Sequence, residues 1–169
     1  GDTQLLAVLT DPTAASLYAQ SLEMLVNTAG IPIEQAQLPV YDFNLLKQEL
    51  DLFPEWFMAQ LLNAPLLEGS REVFDTFSDH LIASATDQPQ VVVHRDFHSR
   101  NLMLLDNNAI ATIDFQDAVI GPVTYDPVSL LKDCYVAWPR AMQLRLLEQH
   151  RAGLEACGVM SATNAEQFV

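Results

Sequence analysis

The sequence predicts an α+β fold, mainly helical, with two or three short strands gathered around one polar loop. Three observations lead there. The chain has 169 residues, 50% of them hydrophobic, which is enough for one core and one domain. Apolar residues recur at helical spacing along most of its length, between Asp-Pro and Gly-x-Pro breaks. A β-branched run, Val91-Val92-Val93, leads straight into His94-Arg95-Asp96-Phe97-His98-Ser99-Arg100-Asn101, and two more short apolar runs follow.

In chain order, Leu5 to Leu9 is a brief apolar piece. Asp11-Pro12 reads as a helix start, with Asp as N-cap and Pro at the first position. Leu17, Leu22, Leu25 and Val26 mark its inner face, and Gly30-Ile31-Pro32 ends it. Residues 31–40 hold two prolines and read as loop. Asp42 can cap a helix carrying Leu45, Leu46 and Leu50. Pro54 should break or kink that helix, and a new one with Trp56, Phe57, Leu61 and Leu62 can start there. A long helix from Gly69 or Ser70 carries Val73, Phe74, Phe77 and Leu81 as its apolar stripe.

The strand Val91–Val93 comes next, then Leu102 to Leu105, the turn Asp106-Asn107-Asn108, and Ala109 to Ile113. Residues 115–122 read as loop. Asp126-Pro127 is a second N-cap with Pro behind it, opening a helix with Leu130, Leu131, Cys134 and Tyr135, the cysteine facing the core. The last helix runs from Pro139 to about Ala156, and Gly158 caps its C-terminus. From Ser161 onward no period is visible.

The bulk numbers exclude several classes. A net charge of −14 argues against nucleic acid or an anionic membrane as partner. There is no apolar run long enough for a membrane span and no signal peptide in Gly1-Asp2-Thr3-Gln4. Cys134 and Cys157 read as reduced thiols of a cytoplasmic protein. The absence of an initiator Met fits a processed form or a piece of something longer.

The loop itself carries the chemistry. An acid, an amide and a second acid stand at the ends of short strands, which suits a hydroxyl nucleophile and one or two magnesium ions. The spacing His-x-Asp-x-x-x-x-Asn, with Ile113-Asp114-Phe115 thirteen residues after the Asn, is the catalytic pattern of kinase-fold phosphotransferases. Asp96 can orient the hydroxyl or accept its proton. Asn101 and Asp114 can hold the metal. His94 reads as a packed structural residue, while Arg95 and Arg100 read as partners for Asp114 or Asp117, or as solvated.

The residues His94 to Met103, together with Ile113-Asp114-Phe115-Gln116-Asp117-Ala118 and Gly121-Pro122, resemble the aminoglycoside phosphotransferase-like kinases. Within them the chain looks most like the bacterial anomeric kinases of N-acetylmuramate and N-acetylglucosamine, which serve cell-wall recycling. The stretches Glu49 to Phe57 and Tyr125 to Tyr135 extend the likeness, which covers about residues 1–140. The resemblance implies the C-terminal lobe of the protein-kinase-like fold, with a short β-hairpin carrying the catalytic and metal residues. It implies ATP and Mg2+ as cofactors and a small-molecule sugar as substrate. Asp96 would be catalytic, and Asn101 and Asp114 the metal ligands. From the residues themselves, Glu49 and Asp51 can bind a sugar through its hydroxyls and Trp56 by packing on its ring, or the stretch is a helix cap with a core Trp; His98 can approach the catalytic loop or the substrate. The nucleotide-binding residues are not legible.

The chain departs from the family in two ways. After the metal Asp the family often reads Gly-Asp-Pro-x-x-Asp-Leu. Here Tyr125 stands for the Gly and Leu130 for the second Asp, and Asp133 one turn on is the candidate replacement. The six glycines are isolated, and neither Lys47 nor Lys132 lies in a β-run ahead of the motif. A Gly-rich loop and a strand Lys are therefore missing, so residues 1–169 read as the C-terminal lobe alone, without the N-terminal lobe of the same protein. On this view Leu5, Leu6 and Val8 form the surface that lobe would cover. Competing expectations are a kinase of another small alcohol or an aminoglycoside, and a non-catalytic pseudokinase module.

Overall fold

The structure, a computed structural model, describes residues 3–161. Strand β1 (Thr3–Gln4) runs into the short helix α1 (Leu5–Val8), and the long helix α2 (Asp11–Ala29) follows. The N-cap of α2 is Thr10 rather than Asp11. Thr10 is extended (φ −141°), and its N–H donates to Thr13 Oγ1 at 2.9 Å. Asp11 falls in the first turn beside Pro12, where an acid still complements the helix dipole. Residues 31–40 are not only loop. They contain α3 (Ile33–Ala36), and Val40 makes a parallel bridge to Ile120.

Helix α4 (Phe43–Leu52) starts as expected, with Asp42 Oδ1 accepting the Leu45 N–H at 2.9 Å. Pro54 does not break it. The chain continues as a π-helical segment, Phe53–Leu61, with Pro54 buried in its first turn. The wider π turn accommodates the ring, and bonds such as Leu62 N–H to Phe57 carbonyl (3.0 Å) carry the chain onward. Helix α5 (Glu68–Thr86) packs back on α4. Between them lie the stacked rings of Phe53, Phe57 and Phe74, and an ionic cluster of Lys47, Asp51, Arg71 and Asp75. The expected inner faces of these helices are largely outside. Trp56, Leu61, Leu62, Val73, Phe77 and Leu81 are exposed, because α4, the π segment and α5 meet mainly each other.

Strand β2 (Gln90–Val93) pairs antiparallel with β5 (Val119–Pro122), so the expected loop 115–122 ends in a strand. The buried Val119 and Ile120 fill the sheet face, and Pro122 closes its end. Strands β3 (Leu102–Leu104) and β4 (Ile110–Thr112) form the expected hairpin, and β1 adds to β3. At its turn Asn108 takes a left-handed φ of 61°, and Asn107 Oδ1 accepts the Ala109 N–H.

Helix α6 (Tyr125–Leu131) ends earlier than expected. Cys134 lies beyond it and is exposed, not core. Helix α7 (Arg140–Ala156) closes with Gly158 at φ 78°. Val159 N–H bonds to Leu154 carbonyl and Gly158 N–H to Glu155 carbonyl, both at 3.0 Å, the paired bonds of a Schellman cap. The expectation for the tail falls on residues 162–169, outside those described.

Two apolar clusters hold these pieces. One joins Leu5, Leu17, Tyr18, Leu22, Phe97, Leu102, Leu130 and Leu146. The other joins Tyr41, Leu46, Ile82, Val91, Val93, Val119 and Leu154. Leu5 is fully buried, so it is core rather than a surface awaiting a partner. Helix α7 lies so close to α2 that a Cβ at Gly153 would stand 2.9 Å from Val26 Cγ2.

His150 sits in that same seam, 3% exposed, with Nδ1 donating to the Leu22 carbonyl at 3.3 Å. Burial lowers its pKa from 6.5 to about 4. Between those values the unfolded chain holds the extra proton. The stability this group contributes is therefore whole above about pH 6.5 and lost as pH falls to about 4, by about 3 kcal/mol at most. Urea midpoints at pH 7.5 and 4.5 for the wild type and His150→Gln should show the wild type losing more on acidification. Parallel losses in both proteins would place the acid sensitivity elsewhere.

Candidate active site

The loop His94 to Asn101 leaves β2 and returns as β3, and two buried carboxylates fix its backbone. Asp126 lies inside α6 and is 3% exposed. It does not cap its own helix. Its Oδ2 accepts the His94 N–H at 2.7 Å and its Oδ1 the Arg95 N–H at 3.1 Å. Burial pushes this carboxyl up to about 7, and the two donors pull against that rise. Asp133 Oδ2 accepts the Ser99 N–H at 2.9 Å, and its Oδ1 accepts the Tyr135 N–H at 2.9 Å. The second acid of the expected motif, missing at Leu130, thus has a counterpart three residues on. Between these anchors Phe97 is 1% exposed and pins the middle of the loop to the core.

The hairpin brings the far acid to the same place. Leu102 pairs with Thr112, and Ile113 N–H donates to the Asn101 carbonyl at 3.0 Å. Asn101 and Asp114 therefore flank one end of the β3–β4 ladder. His94 ties this end to β2. Its Nε2 sits 3.0 Å from the Ile113 carbonyl and 2.7 Å from Thr112 Oγ1. Burial lowers the His94 pKa, so the ring is a neutral strut. Asp114 then takes a left-handed φ of 68°, and Arg95 one of 75°. Such backbone costs about 1–3 kcal/mol per residue and persists where neighbouring contacts impose it.

Within the loop the Asp96 carbonyl accepts from His98 N–H (3.0 Å) and from Asn101 Nδ2 (3.1 Å). Asn101 thus uses its nitrogen inside the protein and keeps its side-chain oxygen available. Gln116 Nε2 donates to Asp114 Oδ1 at 3.0 Å, leaving Oδ2. The carboxylates of Asp96 and Asp114 are both exposed. Two free oxygen donors at one strand end match the ligand chemistry of a hard divalent cation.

The expected sugar contacts divide. Glu49 reaches the loop. It accepts from the Arg95 guanidinium, from the Tyr41 hydroxyl and from the Tyr125 hydroxyl (3.2 Å). Arg95 also lies over the Tyr41 ring, 5.4 Å from its centroid. His98 stands edge-on to Tyr135, and Arg100 covers that ring at 4.9 Å. Neither arginine pairs with Asp114 or Asp117. Asp51 is placed apart, in the ionic cluster with Lys47 (2.6 Å) and Arg71 (2.8 Å). Trp56 is 64% exposed on the π segment. Sequence reasoning missed Asp126 as the loop anchor, and it missed Tyr41, Tyr125 and Thr112. Only Asp126 had a signal, the Asp-Pro that was read as a cap.

Asn in place of Asp126 accepts one N–H and turns an NH2 toward the other. Asp126→Asn should cost about 1–3 kcal/mol, the usual penalty for an unsatisfied buried donor. The amides of His94 and Arg95 should also exchange faster with solvent. Unchanged stability and exchange would show that the loop does not depend on this carboxylate.

A model of the phosphotransferase enzyme family matches residues 1–160. The N-acetylmuramate/N-acetylglucosamine kinase of Pseudomonas putida is 37% identical over 168 residues, 99% of this chain and 49% of that protein. The protein of the same name from Pseudomonas aeruginosa is 36% identical over 164 residues, 97% of this chain and 48% of that one. The chain spans about half the length of these curated relatives. Among solved structures, the GDP and kanamycin complex of the aminoglycoside phosphotransferase APH(2")-IIia superposes with a TM-score of 0.62 at 21% identity. That match covers 98% of this chain and 54% of the other. The chain therefore belongs to the phosphotransferase enzyme family, and its fold is the kinase-like fold of the aminoglycoside phosphotransferases.

Proposed function

We propose that the chain is the substrate- and metal-binding lobe of an ATP-dependent small-molecule kinase, acting on an amino sugar such as N-acetylmuramate or N-acetylglucosamine. The observation that supports this most is the convergence of Asp96, Asn101 and Asp114 on one loop and one hairpin end. The names of the relatives point to the same substrates.

In this reading Asp96 orients the sugar hydroxyl and accepts its proton as the phosphoryl group arrives. General-base positioning of this kind contributes about 10²–10⁴ in rate. Asn101, through its free side-chain oxygen, and Asp114, through Oδ2, would hold magnesium, which supplies charge neutralisation on the phosphates. Glu49 acts through Arg95, fixing the loop rather than gripping the sugar alone. The phosphate cover and the adenine wall would come from an N-terminal lobe of the same protein, which completes the clamp that phosphoryl transfer depends on.

The test is a panel of candidate sugars with the longer protein, read by ATP consumption. Asp96→Asn should lower kcat by about 100-fold or more with little change in KM for sugar. Glu49→Gln should lower kcat too, through a loosened loop, and not merely raise KM for the sugar. Near-normal kcat in Asp96→Asn removes the base role, and a pure KM effect at Glu49 makes it a sugar ligand. The 169-residue chain alone, given ATP, magnesium and either sugar, should form no sugar phosphate at the about 1–1000 per second typical of enzymes. Turnover in that range would mean the chain needs no second lobe.

A further inference from the structure

The cations of this acidic chain are distributed unevenly. Lys47 and Arg71 are paired with Asp51 and Asp75, Arg95 with Glu49, and Arg151 with Glu148 and Glu155. Lys132 and Arg140 instead line one open cavity of about 400 Å³. It lies between the end of α5, one face of α6 and the start of α7, and no carboxylate is among its lining residues. In a chain of net charge −14 that is a local inversion of sign.

The hydrogen-bonding groups of the cavity are one-sided. Gln88 Oε1 accepts from the Thr124 hydroxyl (2.7 Å) and N–H (3.4 Å). Gln143 Oε1 accepts from Lys132 Nζ at 3.0 Å, and its Nε2 donates to the Trp138 carbonyl at 3.1 Å. The side-chain amide acceptors are thus satisfied from within. The cationic residues lining the space are Lys132 and Arg140, and Gln88 and Ser84 add further side-chain donors to the lining. Leu131, Leu144 and Leu147 give an apolar wall beside them. An acceptor-rich group of negative charge on a partly apolar body is the complement of such a surface.

We propose that this cavity binds a small oxyanion-bearing molecule, a phosphate ester or a carboxylate, at a site separate from the Asp96 loop. None of its lining residues belongs to that loop or to the hairpin end beside it. The two places share α6. Val128 and Leu131 of the helix and its caps Thr124 and Lys132 line the cavity, while Asp126 of the same helix and Asp133 just beyond it hold the loop. A ligand in the cavity therefore bears on the short helix that carries the Asp126 anchor. The inference does not depend on the reaction proposed above.

The experiment is calorimetric titration of the chain with inorganic phosphate, acetate and phenyl phosphate at constant ionic strength. Saturable binding of at least one is expected. The Lys132→Gln/Arg140→Gln double variant should bind it about tenfold or more weakly, and Arg145→Gln, a cation of α7 outside the cavity, should bind it as the wild type does. Tightest binding of phenyl phosphate identifies the ligand class as a phosphate ester, and tightest binding of acetate a carboxylate. Should the double variant fail to fold, Arg140→Gln at the exposed start of α7 carries the same comparison. No saturable binding to the wild type, or equal binding to the variants, overturns the proposal.

Discussion

The Asp126 carboxylate, buried under α6 and holding the N–H groups of His94 and Arg95, is the contact on which the rest depends. It meets the chain where β2 stops being a strand. Two successive N–H groups point there at one acceptor, which obliges Arg95 into a left-handed backbone and turns the following residues outward. Without that acceptor both donors would be buried and unpaired, and the turn would have no reason to persist. Asp96 is exposed because its neighbours on both sides are tied down. Asp133, two residues past the end of α6, repeats the device at Ser99, so the helix and the turn after it together support the loop at two points.

A second constraint links this loop to the helices outside the core. Arg95 reaches Glu49 on α4, and Glu49 also takes hydroxyls from Tyr41 and Tyr125. Burial, with Glu49 as the next cause for Tyr41, raises the pKa of both tyrosines, so they remain donors. Helix α4 and Tyr41 before it therefore share a hydrogen-bonded network with the loop. The ionic cluster around Asp51 instead fastens α4 to α5, and it is partly exposed, so its worth in stability is modest.

Legibility in the sequence followed the range of the interactions. The helices α2, α5 and α7, the hairpin β3–β4 and the Gly158 cap were readable because each depends on residues a few places apart. The triad Asp96, Asn101 and Asp114 was placed on one loop and one hairpin by spacing alone. What escaped depends on distant partners. Asp126 next to Pro127 has the local look of a cap, and only the fold shows its carboxylate turned toward residues 94 and 95. Val119 and Ile120 needed β2 to become a strand. The apolar stripe of α5 has the period of a buried face, yet Val73 and Phe77 lie open, since a period states which residues share a side and not what covers it.

The strain in this region has a definite distribution. Arg95 and Asp114 both take backbone conformations that side chains with a Cβ disfavour, and they sit at the two ends of the His94 ring. His94 joins them: its N–H is fixed by Asp126, and its ring by the carbonyl of Ile113 and the hydroxyl of Thr112. A neutral imidazole serves here because a charged one would meet no buried acid beside its second nitrogen, which has no partner of its own. The two strained residues thus sit beside one connected set of hydrogen bonds centred on His94. The start of the Asp96 loop and the residue before Asp114 are thereby tied through one side chain.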